Sequence, residues 1–170
     1  SDTQPNNPRL WATRTYGFHP ESGSVFNYVS GGQRVTKLDV THTNEYKVYR
    51  CPSTGRIGKA QRVNFSMNSN IDMNKALSDR RNTGPKGVKA SSIATPSGKV
   101  LLVNEDSATM RNASFTPGGT AANGDFVTHN GRINMGFIDG HIDAWKNEKV
   151  HEAQSGEFER MYFDPYYQPR

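Results

Sequence analysis

The residues best placed to do chemistry lie close together near the C-terminal end of the chain. His129, Asp139, His141 and Asp143 occur within 15 residues. His141 and Asp143 are alternate residues of a predicted strand, so they share one face and could chelate one ion. A hydrolytic zinc site, however, needs three convergent protein ligands and an open position. The four residues therefore allow a small metal-dependent hydrolase as an alternative interpretation.

Other features of the sequence argue against catalysis. The remaining three histidines lie in unpatterned contexts. The sequence contains no G-x-S-x-G motif, no H-E-x-x-H motif and no glycine-rich phosphate loop. We therefore expect that the chain is not an enzyme.

Carboxylates suggest a second kind of site. Asp106 follows an apolar run, Asp125 lies in a long glycine-containing loop, and Asp139 lies at a predicted turn. Calcium binds roughly six to eight oxygens supplied by carboxylates, carbonyls and amides. Asp106, Asp125 and Asp139, with His129 beside them, could hold Ca²⁺ if the strand end, the loop and the turn converge. The spacing matches no EF-hand, and ordinary turn chemistry is the other explanation.

A predicted β-hairpin positions most of these side chains. Residues 133–138 begin with apolar residues at every second position, which is the period of a strand with one buried face. Asp139-Gly140 is typical of a two-residue type I′ turn, which would pair Phe137 with Ile142. The predicted buried face consists of Ile133, Met135, Phe137, Ile142 and Ala144. The predicted opposite face includes His141, Asp143 and Trp145.

Weaker patterns predict the remaining elements. The continuous apolar run at residues 99–104 is typical of a strand buried on both faces, and we place it centrally, beside the strand at residues 133–138. Residues 62–68 predict a short strand with its apolar side chains on one side. Residues 107–130 predict a long loop, and residues 148–159 a helix. No window of three turns keeps a helical apolar period without Gly or Pro.

Four segments, in order, resemble one family of pilin-like proteins. His129, nine residues and then Asp139-Gly140 resemble the H-x9-DG signature found near the C-terminus of pilin-like proteins related to type II secretion pseudopilins. Residues 49–53, YRCPS, resemble the family's f-x-C-P-S segment, and residues 63–70, VNFSMNSN, resemble its SYGMNSN segment. Residues 90–106 resemble its I-x-x-P-S-x-x-l-l-x-D segment. The resemblance covers roughly residues 46 to 146.

This resemblance implies an α+β head domain with an antiparallel sheet of three to five strands and long loops. It implies a non-catalytic structural subunit of a pilus-like or pseudopilus-like filament or secretion apparatus, located in the cell envelope or outside the cell. Its partners would be other pilin-like subunits and the assembly machinery, with an N-terminal apolar helix, not contained in this chain, as the membrane anchor. Related pseudopilins often bind calcium in a C-terminal loop. Apart from the resemblance, the imidazole of His129 could cap the entrance of the hairpin or hydrogen-bond Asp139.

Composition limits the fold and the partners. A chain of 170 residues suits one domain over residues 1–170, with a flexible lead-in at residues 1–8 and an aromatic tail at residues 160–170 that packs on the body. Hydrophobic residues make up 33%, with 16 Gly and 9 Pro, which predicts a small core under long loops. The net charge of +5 is scattered, so we expect a solvated surface and no nucleic-acid partner.

The single cysteine and the aromatic residues of the tail are both expected to pack inside the fold. Cys51 is the single cysteine, which excludes an internal disulfide and a cysteine-based zinc site, and we expect it to be a small buried packing group. The tail aromatics are expected to pack in the core. They also leave open a third interpretation, a secreted carbohydrate-binding or surface-binding module. These aromatics are Tyr162, Phe163, Tyr166 and Tyr167.

Overall fold

The computed structural model describes residues 26–32, 46–59, 61, 63–71, 88–110, 113–119 and 124–169. The lead-in predicted at residues 1–8 lies outside them. The chain divides into two compact units. Unit 1 comprises residues 1–65 and 107–113, and unit 2 comprises residues 66–106 and 114–170.

A five-stranded sheet dominates the described structure, in the order β3-β1-β2-β4-β5. The strands are β1 (Phe65–Asn68), β2 (Val100–Asn104), β3 (Ser114–Phe115), β4 (Arg132–Phe137) and β5 (Ile142–Lys146). The α+β class and the strand number agree with the prediction. The prediction of a purely antiparallel sheet is wrong, because β1 and β3 pair in parallel. The chain between these two strands is much longer than the dozen or so residues that a parallel connection requires.

The central strand lies where the sequence placed it. β2 is the middle strand of the five and pairs antiparallel with β4, with a register shift between Val100 and Leu102. Val100 and Val103 are fully buried, whereas Leu102 is 40% exposed. The next residue, Asn104, is also fully buried. Because consecutive strand residues point to opposite faces, burial on both faces is confirmed at Val103 and Asn104 and is wrong at Leu102.

The hairpin forms at the predicted position but in a different register. Ile133 pairs with Trp145 and Gly136 with Ile142, one residue away from the predicted pairing. Phe137 and His141 close a three-residue loop, through hydrogen bonds from Phe137 N to His141 O (2.9 Å) and from Gly140 N to Phe137 O (3.0 Å). Gly140 has a φ of +95°, and Asp139 does not have a positive φ. This is the pattern of a type I turn followed by a left-handed glycine, not of a type I′ turn.

Burial of the indole explains the observed register. Trp145 is only 2% exposed and faces Ile133, while Ile142 is 73% exposed. Burial of the indole removes a large apolar surface from water, and this register keeps that burial while leaving Ile142 exposed. The stacking of His141 on Phe137, with ring centroids 4.2 Å apart, adds to this preference.

Two short helices cover the core of unit 2. The predicted helix at residues 148–159 is divided into α3 (Asn147–Glu152) and α4 (Gly156–Phe163), between which lies a turn. α3 packs against β5 and α4 against β2. The core consists of Val100, Val103, Phe115, Phe126, Ile133, Met135, Phe137, Trp145, Val150, Ala153 and Phe163. Among the described residues, no helix has the length and apolar character that a membrane span requires.

Unit 1 contains the short helices α1 (Phe26–Ser30) and α2 (Gly55–Lys59). Phe26 is 2% exposed and packs edge-on against the ring of Tyr46 at a centroid distance of 4.9 Å. Cys51 is 4% exposed, which confirms the prediction that it is a buried packing group.

Candidate functional site

Three consecutive residues at the end of β2 each hold a different segment of unit 2. Asn104 Oδ1 accepts a hydrogen bond from His129 Nε2 (3.1 Å). Glu105 Oε2 accepts one from Ser66 Oγ (2.5 Å). Asp106 Oδ2 accepts one from the backbone N–H of Asp125 (3.2 Å). We call Asn104, Glu105 and Asp106 the β2 end cluster.

The middle residue of this cluster has unusual electrostatics. Glu105 is 3% exposed, and this burial raises the pKa of its carboxyl group to about 7. The hydrogen bond from Ser66 opposes the shift, while the nearby negative charge of Asp106 adds to it. Desolvation therefore dominates, because burial costs the ionised carboxylate more solvation free energy than one hydrogen bond from a hydroxyl restores. Near neutral pH the Glu105 carboxyl group exists in both protonation states.

A tight turn places His129 beside Asn104. Asn130 and Gly131 have φ values of 54° and 78°, and the backbone N–H of His129 donates to Arg132 O at 2.8 Å. Positive φ at both central residues is what a type I′ turn requires, and Asn-Gly is its preferred dipeptide. Sequence reasoning missed this turn, although the Asn-Gly dipeptide was a signal for it.

The structure separates His129 from the Asp139-Gly140 pair. His129 precedes β4, and Asp139 follows it, so the length of a six-residue strand, roughly 17 Å, lies between them. Asp139 Oδ1 accepts hydrogen bonds from the backbone N–H of His141 (3.1 Å) and from His141 Nδ1 (2.6 Å). The expected bond between His129 and Asp139 is therefore wrong. The imidazole was also expected to cap the backbone at the entrance of the hairpin, and the structure places it against the side chain of Asn104.

The alternative metallohydrolase site does not form as a group. His129 lies at the far end of β4, His141 stacks on Phe137, and Asp143 Oδ2 accepts a hydrogen bond from Trp145 Nε1 (2.8 Å). The hydrogen bonds from His141 hold the pKa of the exposed Asp139 carboxyl group below its ordinary value. These contacts between side chains of the hairpin stabilise the hairpin itself.

The proposed calcium ligands meet only in part. Asp106 Oδ2 accepts the hydrogen bond from the backbone N–H of Asp125 described above, so these two residues do meet. Asp139 lies at the opposite end of the sheet, because Ile138 N donates to Lys99 O at the start of β2 (3.0 Å). Within the part of the chain that the structure describes, no three His, Cys, Asp or Glu side chains are grouped so that they could hold a metal ion.

Sequence reasoning also missed the buried polar face of β1. Ser66 and Asn68 are fully buried, whereas Met67 between them is only partly buried. Asn68 Nδ2 donates to Val100 O (2.9 Å) and to Phe163 O (3.0 Å), and Asn68 Oδ1 accepts from Asn70 N (3.0 Å). One side chain thus joins β1, β2 and the end of α4. The polar residues at alternate positions from 64 to 68 were the available signal.

Asn64 has a comparable role in unit 1. It is fully buried, and its Oδ1 accepts from Cys51 N at 2.9 Å. Its Nδ2 donates to Gly58 O (3.0 Å) and to Gln61 Oε1 (3.1 Å). The amide of Asn64 therefore holds the Cys-Pro segment and the end of α2 together.

A buried lysine fixes the C-terminal tail of unit 2. Lys99 is 2% exposed, and its Nζ donates to Met161 O (2.6 Å) and to Tyr167 O (2.8 Å). Burial lowers the pKa of Lys99, and the negative charge of Asp164 partly offsets this effect. A cation near the carbonyls of the last helical turn also interacts favourably with the helix dipole.

The tail aromatics contact the body of unit 2. Phe163 is fully buried, and Tyr162 packs edge-on against Trp145 with ring centroids 4.8 Å apart. Arg160 lies over the ring of Tyr167 at 4.3 Å. Phe163 therefore lies in the core, as expected, whereas the rings of Tyr162, Tyr166 and Tyr167 are only partly buried.

Comparisons of the chain with protein-family models, with curated proteins and with solved structures found no match.

Proposed function

We propose that this chain is the head domain of a pilin-like or pseudopilin-like structural subunit and acts by packing rather than by turnover. The observation that carries the proposal is the use of the family-like residues inside the fold. Asn68 and His129 each join separate segments through hydrogen bonds of 2.9–3.1 Å. If the signature residues specify the fold, members of the family would all present the same head domain to their assembly. This suits a structural subunit.

The distribution of the polar residues also suits a structural role. A catalytic group must reach a reacting atom together with a base, an acid or a charge stabiliser. The polar residues of the four resembling segments are instead distributed over both ends of β4 and over two units. Their partners are mostly backbone atoms, which they satisfy within the protein.

In this proposal the head is carried in the cell envelope, with an N-terminal apolar helix as anchor and other pilin-like subunits as neighbours. The resemblance over residues 46 to 146 supports this location and these partners. The hydrolase and the carbohydrate-binding module gain no support from a specific contact, because the side chains that would serve them have partners within the fold.

The test uses the complete reading frame in the organism that carries it. We expect the codons before Ser1 to encode a short basic leader and a stretch of about 20 apolar residues. Cross-linking of intact cells, followed by detection with an antibody against residues 1–170, should give a ladder of multimers in the envelope fraction. An unrelated envelope protein that stays monomeric under the same treatment is the control. A frame without the apolar stretch, together with a monomer free of the envelope, would overturn the proposal.

A further inference from the structure

One face of the sheet in unit 2 has an apolar row at its centre that the core does not use. Leu102, Gly136 and Ile142 lie side by side on β2, β4 and β5, because Gly136 is the register partner of both others. This row faces away from the core residues Val103 and Met135, which pair one position further along. Leu102 is 40% exposed and Ile142 is 73% exposed. Gly136 has no side chain, so it leaves a notch between two apolar walls.

Two cations lie on the same face near one end of β4. Arg132 and Lys146 are register partners and both are exposed. Arg132 Nη1 donates to the backbone O of Ala144 (3.0 Å), which keeps the guanidinium near this face. Like charges directly opposite each other in a sheet are unfavourable. An anionic partner would relieve this repulsion.

The first turn of α4 carries the complementary features. Phe158 is 43% exposed, and its sequence neighbours Glu157 and Glu159 are both acidic. The ring of Phe158 stacks on that of Tyr162 at a centroid distance of 6.5 Å. We call residues 157–159 the acidic turn. The Glu157 carboxylate accepts a hydrogen bond from the Tyr167 hydroxyl (2.8 Å). The turn therefore presents one large apolar ring and the Glu159 carboxylate, as the sheet face combines an apolar notch with two cations.

We propose that the acidic turn of one copy docks on this sheet face of a second copy. Phe158 would fill the notch at Gly136, and the carboxylate of Glu159 would approach Arg132 and Lys146. The acidic turn and the sheet face are complementary in charge and in their apolar features. Because one chain carries both surfaces, this favours a second copy of the chain over another partner. The proposal names the neighbour-facing surfaces of the structural subunit and depends on that proposed function for its place in the cell.

The two surfaces differ, so the contact is heterologous. Such a contact leaves one free surface at each end and continues into a filament, or closes into a ring if the rotation allows it. The patch is small, so we expect weak, concentration-dependent association of the isolated chain. Anchoring many copies in one membrane would raise their effective concentration.

The experiment measures self-association of the purified 170-residue chain by sedimentation velocity over a concentration series at low salt. Phe158→Ser removes the ring of the acidic turn, and Ile142→Ser removes one wall of the notch. Each variant alone should show at least a tenfold weaker association than the unaltered chain. Ile57→Ser, at an exposed isoleucine of α2 in unit 1, is the matched control and should associate normally. Far-ultraviolet circular dichroism checks that each variant is folded.

Mixing the two variants gives the decisive result. A Phe158→Ser chain keeps its sheet face, and an Ile142→Ser chain keeps its acidic turn, so a mixture should form dimers and nothing larger. Monomers at every concentration of the unaltered chain would overturn the proposal, as would a mixture that associates no better than either variant. Those failures leave the cross-linking ladder in cells untouched. Loss of that ladder, by contrast, would overturn the structural function itself.

Discussion

At the scale of single residues, the buried acid Glu105 has the clearest physical consequence. Its carboxyl group is held in the β2 end cluster with one hydroxyl donor, Ser66 Oγ, at 2.5 Å. Burial raises its pKa from 4.5 to about 7. Because the folded state binds the proton more tightly than the unfolded state, folding is favoured when Glu105 is protonated. This contribution is complete below pH 4.5 and is lost as the pH rises through 7.

We predict that Glu105→Gln removes this pH dependence. Gln keeps a carbonyl that accepts from Ser66 but has no charge to desolvate. Between pH 4.5 and pH 8 the free energy of unfolding of Glu105→Gln should rise relative to that of the unaltered chain, by on the order of 3 kcal/mol. Urea unfolding at the two pH values measures the change. Glu148→Gln, at an exposed glutamate of α3, should follow the unaltered chain. A pH profile of Glu105→Gln parallel to that of the unaltered chain would contradict the prediction.

At the scale of elements, the hairpin shows what local sequence can and cannot determine. The position of the bend at Asp139-Gly140 and the strand before it followed from the turn dipeptide and the alternating apolar residues. The register did not, because a two-residue and a three-residue loop both suit Asp-Gly and differ by one residue. The choice depends on a long-range term, the burial of Trp145 against Ile133 and the ring of Tyr162.

We predict that truncations on β5 report this register directly. Trp145→Ala should lower the free energy of unfolding by about 3–5 kcal/mol, since it empties a buried site. Ile142→Ala should change it by less than about 0.5 kcal/mol, since the side chain is 73% exposed. Thermal unfolding followed by circular dichroism measures both, at a concentration low enough to prevent association. A large loss for Ile142→Ala with a small loss for Trp145→Ala would support the two-residue loop instead.

At the scale of the whole molecule, buried side-chain amides join segments that are distant in the chain. Apolar periodicity predicted the central strand and its neighbour correctly, because β2 and β4 bury ordinary apolar side chains. It could not predict that β1 buries Ser66 and Asn68, since a polar residue is expected to face water unless its hydrogen-bond partners are known. The partners of Asn68 are carbonyls at residues 100 and 163. Only the fold brings them within reach.

The same reason explains why the candidate sites were predicted incompletely. Asp106 and Asp125 do meet, as convergence of a strand end and a loop suggested. Asp139 and His129 were expected near each other because the long loop and the tip of the hairpin could converge. An extended β4 instead keeps them apart, and neither the composition nor the spacing of the motif shows which outcome applies.

The most direct test of the claim that the family-like polar residues hold the fold together is the free energy of unfolding of Asn68→Ala, measured by urea at neutral pH. The substitution removes both donors to the Val100 and Phe163 carbonyls at a fully buried position. We predict a loss of about 2–3 kcal/mol. Asn134→Ala, at a partly exposed asparagine of β4, should lose less than about 1 kcal/mol. Equal midpoints for Asn68→Ala and the unaltered chain would contradict the claim.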